Sequence, residues 1–80
     1  MKYLYQIGET QTYIYNNTIN KIADNNNGKL TTEIINKTSK ILRQEYGALF
    51  EAYFDDLALL SYFMQRENVN EITVIEKTRT

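Results

Sequence analysis

Two runs of β-forming residues close on Gly8-Glu9, and that pair constrains the fold more than any other feature of the 80 residues. Lys2 to Ile7 and Thr10 to Tyr15 are rich in Tyr, Ile and Thr, and Gly at the first position of a two-residue loop suits a type II′ hairpin turn. Loop length fixes the register: Ile7 pairs with Thr10, Tyr5 with Thr12 and Tyr3 with Ile14, and paired residues share a face. One face then holds Tyr3, Tyr5, Ile7, Thr12 and Ile14 and is the expected core. The other carries Lys2, Leu4, Gln6, Gln11, Tyr13 and Tyr15, an amphipathic and tyrosine-bearing set of the kind favoured at protein contacts. A three-residue loop would gather Tyr3, Tyr5, Tyr13 and Tyr15 on one side, but it requires Gly or Asn where Thr10 stands.

Turn signals recur beyond the hairpin. Asn16-Asn17 tolerates positive φ and precedes a third β-run, Thr18 to Ala23, which would set Ile19 beside Ile14 and turn Asn20 and Ile22 outward. Asp24-Asn25-Asn26-Asn27-Gly28 ends in the Asn-Gly step favoured in hairpins, and Lys29 to Ile35 follows as a fourth strand. The expectation is an antiparallel meander with strands near residues 2–7, 10–15, 18–23 and 29–35. A second reading makes Thr18 to Asp24 a short helix and starts a long helix near Thr31; the β-branched residues of this stretch disfavour it.

Further along, the apolar period lengthens from two to that of an α-helix. Leu42, Tyr46, Leu49, Tyr53, Leu57, Leu60 and Met64 recur at steps of three, four or seven, flanked by Phe50, Phe54 and Phe63. Asn36, Thr38 or Ser39 can cap the start, and the end falls near Asn68. The stripe keeps phase through Gly47, so one long amphipathic helix over residues 39–66 is expected, with a break at Tyr46-Gly47 as the alternative. Glu71 to Lys77, with Ile72 and Val74 alternating against Thr73 and Ile75, reads as a final strand. The fold class is therefore α+β, with residues 1–80 forming one small domain. Leu59 and Tyr62 project on the helix flank opposite Leu57 and Leu60, among Glu51, Asp55 and Asp56. A chain this short has little material to cover a second helix face, so a partner surface is expected, with a homodimer its commonest form.

Composition bears on function by what it lacks. With no His and no Cys there is no imidazole base, Ser-His dyad, thiolate nucleophile or disulfide staple. Glu51 and Asp55 lie one helical turn apart, with Asp56 adjacent, but acidic pairs at that spacing ordinarily form a solvated face; no metal or other cofactor is expected. Each Gly stands alone, without the spacing of a phosphate-binding loop. The expectation is a non-enzymatic chain with no catalytic residue. The segment Met1 to Gln6 is too polar for a signal-peptide core and no apolar run approaches bilayer length, so a cytoplasmic protein without membrane contact is expected. The glycosylation sequons at Asn16 and Asn36 are then chance matches. Asn, Ile, Lys and Tyr, all with AT-rich codons, are heavily used, which suits an AT-rich phage, plasmid or host genome alike. Net charge is −1, without the basic stripe of a nucleic-acid coat protein, although Lys37, Lys40 and Arg43 gather in one stretch and Glu45, Glu51, Asp55 and Asp56 in the next.

Two classes of function fit these features. The first, and the expectation, is a protein-interaction module, such as a phage or mobile-element inhibitor that blocks a host protein surface. Its partner would be met by Tyr13, Tyr15, Glu51, Asp55, Asp56, Leu59 and Tyr62, where Tyr supplies contact area at low ordering cost and carboxylates speed encounter with a positive surface. The second is a small nucleic-acid-binding regulator, with exposed tyrosines stacking on bases and Lys37, Lys40 and Arg43 on phosphates; the acidic balance weighs against it. A structural subunit of a larger assembly is a third possibility.

Overall fold

The computed structural model describes residues 1–79; Thr80, within the expected domain, lies outside the described residues. Lys2–Ile7 (β1) and Thr10–Ile14 (β2) form the hairpin in the expected register, Tyr3 opposite Ile14, Tyr5 opposite Thr12 and Ile7 opposite Thr10. Of the two loop residues, only Gly8 takes positive φ, 59°. A Cβ there would come within 2.9 Å of the Glu67 Cβ, so the loop needs Gly for space as well as for conformation. Tyr3, Tyr5, Ile7 and Ile14 are buried, as the parity of the register demands.

The third expected strand is a helix. Asn17–Asp24 (α1) replaces the strand assigned to residues 18–23, and Asn16 is not a positive-φ turn residue but the helix cap, its side chain accepting from the Thr18 and Ile19 backbone N–H groups. Helical spacing carries Ile19 and Ala23 into the core together, with Asn20 beside them instead of facing outward. Cap and burial outweigh the β propensity of this short run. Asn27 and Gly28 do take positive φ, 59° and 77°. They close α1 instead of joining two strands, for the Gly28 N–H donates to the Ala23 carbonyl at 2.8 Å.

The strand expected over residues 29–35 stops at Thr31. Lys29–Thr31 (β3) gives way at once to Thr32–Tyr46 (α2), because the Thr31 hydroxyl caps that helix by accepting from the Ile34 N–H at 3.1 Å. The start expected near residue 39 is thus too late. The long helix is also broken, twice. Gly47, at φ 57° and ψ −129°, occupies backbone space that only Gly enters readily, and it leads a 3₁₀ turn over Gly47–Leu49 into the short helix Phe50–Tyr53 (α3). Phe54 then leaves helical geometry at φ −132° before Asp55–Glu67 (α4) begins. These two turns re-sort the apolar stripe: Phe50 and Phe54 are buried, while Tyr46, Leu49 and Tyr53, expected inside, are exposed.

Glu71–Thr78 (β4) closes the sheet from its middle, in the order β2-β1-β4-β3, so the four antiparallel strands are not a meander. A register shift where β4 passes Leu4 and Tyr5 leaves Ile75 without a paired partner. Ile72 is buried, and the helices pack on its side of the sheet, into a core that joins Tyr5, Ile7, Ile19, Leu30, Ile35, Leu60 and Met64. No helix among the described residues is long and apolar enough to cross a membrane.

Candidate interaction surface

Beside the apolar packing of Ile19 and Ala23, α1 meets the sheet through a satisfied set of polar contacts. The Tyr5 hydroxyl donates to Asn20 Oδ1 at 2.8 Å, and Asn20 Nδ2 donates to the Ile14 carbonyl at 3.1 Å. Burial pushes the Tyr5 hydroxyl pKa up, so it stays a donor. Asp24 accepts from the Tyr3 hydroxyl of β1 and from the Lys77 ammonium of the neighbouring β4, both at 2.7 Å. Lys77 and Tyr3 hold the Asp24 carboxyl below its usual range, and Asp24 in turn raises the pKa of both. These bonds tie α1 to the sheet and offer no free group for chemistry.

The residues expected to meet a partner lie on several surfaces. Tyr13 stands on the open sheet face opposite Leu4, with the Lys2 ammonium 4.6 Å from its ring centre. Tyr15, just beyond β2, is 61% exposed. Glu51 is engaged by Arg43 at 3.1 Å, and the same guanidinium lies 4.2 Å from the Phe50 ring centre. Asp55 and Asp56 occupy the first turn of α4, where the helix end favours carboxylates, and neither has an ion-pair partner among the described residues. Asp56 is partly enclosed and its Oδ1 has no hydrogen-bond donor; burial, followed by the neighbouring Asp55, holds its carboxyl above the usual range. Leu59, 41% exposed, shares a shallow hollow of about 480 Å³ with Asp55, Asp56 and Ala58. Tyr62 belongs to a different feature, a groove of about 590 Å³ between α2 and α4 whose walls include Ser39, Lys40, Arg43 and Ser61.

Asp55, Asp56 and Leu59 therefore come together, Glu51 is already paired, and Tyr13 and Tyr62 sit on separate layers. Three residues assigned to the core, Tyr46, Leu49 and Tyr53, join the surface instead. Leu49 and Tyr53, each 54% exposed, lie where the chain turns between α2 and α4, and the Tyr53 ring meets Tyr46 edge-on at 6.0 Å. Asn16 Nδ2 donates to the Tyr53 carbonyl at 2.9 Å, which brings the junction carrying Tyr15 to the same corner. The signals for this corner were Gly47 as a helix breaker and Asp55-Asp56 as the acidic first turn of a new helix.

The corner presents aromatic rings, an aliphatic side chain and carboxylates. No group of three or more His, Cys, Asp or Glu side chains that could hold a metal ion occurs among the described residues. Exposed apolar area beside unpaired charge is a composition shared with surfaces at which proteins meet. Comparison of the chain with family models, with characterised proteins and with solved structures finds no match.

Proposed function

We propose that this protein is a non-enzymatic interaction module that docks the corner between α2 and α4 onto a basic, partly apolar surface of another protein. One observation carries the reading: Leu49, Tyr53 and Tyr15 stay more than half exposed next to Asp55 and Asp56, which have no cation partner. Burying such rings is favourable only against another apolar surface, and the carboxylates select a positive one. Rings and carboxylates so arranged suit a groove built for the bases and phosphates of a nucleic acid, so an inhibitor that occupies such a groove, borne by a phage or mobile element, is the finer form of the proposal. Lack of His and Cys supports a non-enzymatic role.

Photo-crosslinking in lysate of the source cell tests it. A benzophenone side chain replacing Tyr53 is expected to give one dominant protein adduct, lost in D55K/D56K, while the same group replacing Glu33 on α2 gives none. Adducts independent of position, or a nucleic acid as the captured species, would refute it.

The groove between α2 and α4 favours a second reading. Lys40 and Arg43 face Tyr62 across it, an arrangement able to hold a phosphate beside a stacked base. Filter binding of single-stranded DNA or RNA that weakens steeply with salt would support this regulator, and absence of binding at low salt would dismiss it.

A further inference from the structure

The sheet has two edges, and they differ in their defences. β3 is three residues long and bears Lys29, paired with Glu71 at 3.6 Å. β2 reads Thr10-Gln11-Thr12-Tyr13-Ile14, with no charge, no Pro and no bulge, the devices that normally discourage further strand pairing. In a hairpin closed by a two-residue loop, the pairs Ile7/Thr10, Tyr5/Thr12 and Tyr3/Ile14 exchange backbone hydrogen bonds with each other. The N–H and C=O groups of Gln11 and Tyr13 therefore point away from β1, and β1 is the only strand beside β2 among the described residues.

We infer that the protein forms a symmetric dimer in which β2 pairs antiparallel with β2 of a second copy, about a two-fold axis at Thr12. The strand is complementary to itself. Only the register centred on Thr12 pairs all five residues; it sets Gln11 opposite Tyr13 of the second copy, and no like charges meet. The helices fit the same symmetry. α4 packs over both β1 and β2, and Glu67 near its end accepts from the Thr10 hydroxyl at 2.6 Å. With strands about 4.8 Å apart, two copies of α4 above the joined sheet stand about 10 Å from each other. That is the separation of packed helices, about 8–10 Å.

The α4 flank turned toward that gap is apolar where the contact falls. One and two turns before Glu67 on this flank stand Phe63, partly buried, and Leu59, 41% exposed. α4 runs against β2, since its last turn meets Thr10 while Tyr53, just before its start, meets Asn16. The two-fold axis therefore brings Phe63 near its own copy and keeps the Asp56 and Glu67 carboxylates of the two chains from facing each other. A stable interface buries about 800 Å² per partner, more than five paired residues supply, and the helix contact adds the remainder. This dimer does not depend on the docking corner, whose test reads a different contact.

Sedimentation of the purified chain from micromolar to submillimolar concentration is expected to show a species of twice the 9.4 kDa chain mass. Amide exchange at Gln11 and Tyr13 should slow as that species forms. Q11K/Y13K sets Lys against Lys in both cross-strand pairs and should weaken association about tenfold or more. Q11K/Y13E sets Lys against Glu in the same register and should restore it, with circular dichroism confirming the fold of each variant. A wild type that stays monomeric, a dimer indifferent to Q11K/Y13K, or Q11K/Y13E as dissociated as Q11K/Y13K would each overturn the inference. So would a monomer whose Gln11 and Tyr13 amides gain protection only when an extended peptide is added.

Discussion

The sheet with α1 and the helical segment from α2 to α4 dispose of their large side chains in opposite ways. On the sheet side every core-facing position of β1 is buried, and the polar atoms that must follow are satisfied, Tyr5 by Asn20 and Asn20 by Ile14. On the helical side two breaks turn Phe50 and Phe54 inward at the expense of Tyr46, Leu49 and Tyr53. Hydrophobic stabilisation scales with the apolar area removed from water, so these half-exposed side chains contribute less to folding than the buried ones. The contrast supports a division of labour within the helical segment, whose buried residues complete the shared core while its corner stays available for contact.

Substitutions can break or sharpen that contrast. The largest effect is expected in the shared core: Leu60→Ala, at a fully buried position of α4, should cost about 2–5 kcal/mol in denaturant unfolding. Tyr5→Phe should cost about 1–3 kcal/mol, because it leaves the buried Asn20 carbonyl without a donor. Gly47→Ala should cost about 1–3 kcal/mol from backbone strain alone, since a Cβ there meets nothing within 4 Å. A neutral result at Gly47 would mean the chain can run helically through this point, and the exposed corner would lose its structural cause.

Charge gives a smaller and pH-dependent effect. The Asp56 carboxyl is raised, so its protonated form favours the folded state; that stabilisation is complete below the unfolded carboxylate pKa, about 3.9, and is lost as pH rises through the higher folded value. Asp56→Asn should therefore raise Tm slightly at neutral pH, with the difference vanishing in acid. Asp24 has the opposite sign. Its carboxyl is lowered by Lys77 and Tyr3, so its contribution is present above the unfolded value and fades as pH falls through the lowered one. Asp24→Asn should lower Tm at neutral pH and converge on the wild type in acid. Thermal melts across pH on both variants check the two signs together.

The hairpin was legible because a two-residue loop with Gly first leaves one register, and one register settles which residues of β1 and β2 face the core. The final strand was legible from Ile72 and Val74, although not its place in the middle of the sheet, which depends on partners distant in the chain. α1 was misread because a stretch of two turns carries too few apolar positions to separate period two from period 3.6; Ile19 fits both, and the deciding contacts, Ala23 in the core and Asn20 on Tyr5, are tertiary. The break at Gly47 was legible only as the alternative, because the apolar stripe stays in phase across it, and at Phe54 no Gly or Pro marks the turn. Of the candidate contact residues, Tyr15 was picked out by the parity of the hairpin and Asp55 and Asp56 by their charge, and the structure places Tyr15 and Asp55 at the surface with Asp56 partly enclosed beside them. Leu49 and Tyr53 were missed because a Leu or Tyr at helical spacing has the same pattern whether the helix continues or turns away.

The unfolding free energy of L49S/Y53S, read beside its photo-adduct yield, bears most directly on the separation of contact from fold. The double variant is predicted to lie within about 0.5 kcal/mol of wild type and to lose the partner adduct formed from a benzophenone placed at Tyr15. A loss of several kcal/mol would put both side chains among those that hold the fold, and an undiminished adduct would remove them from the contact.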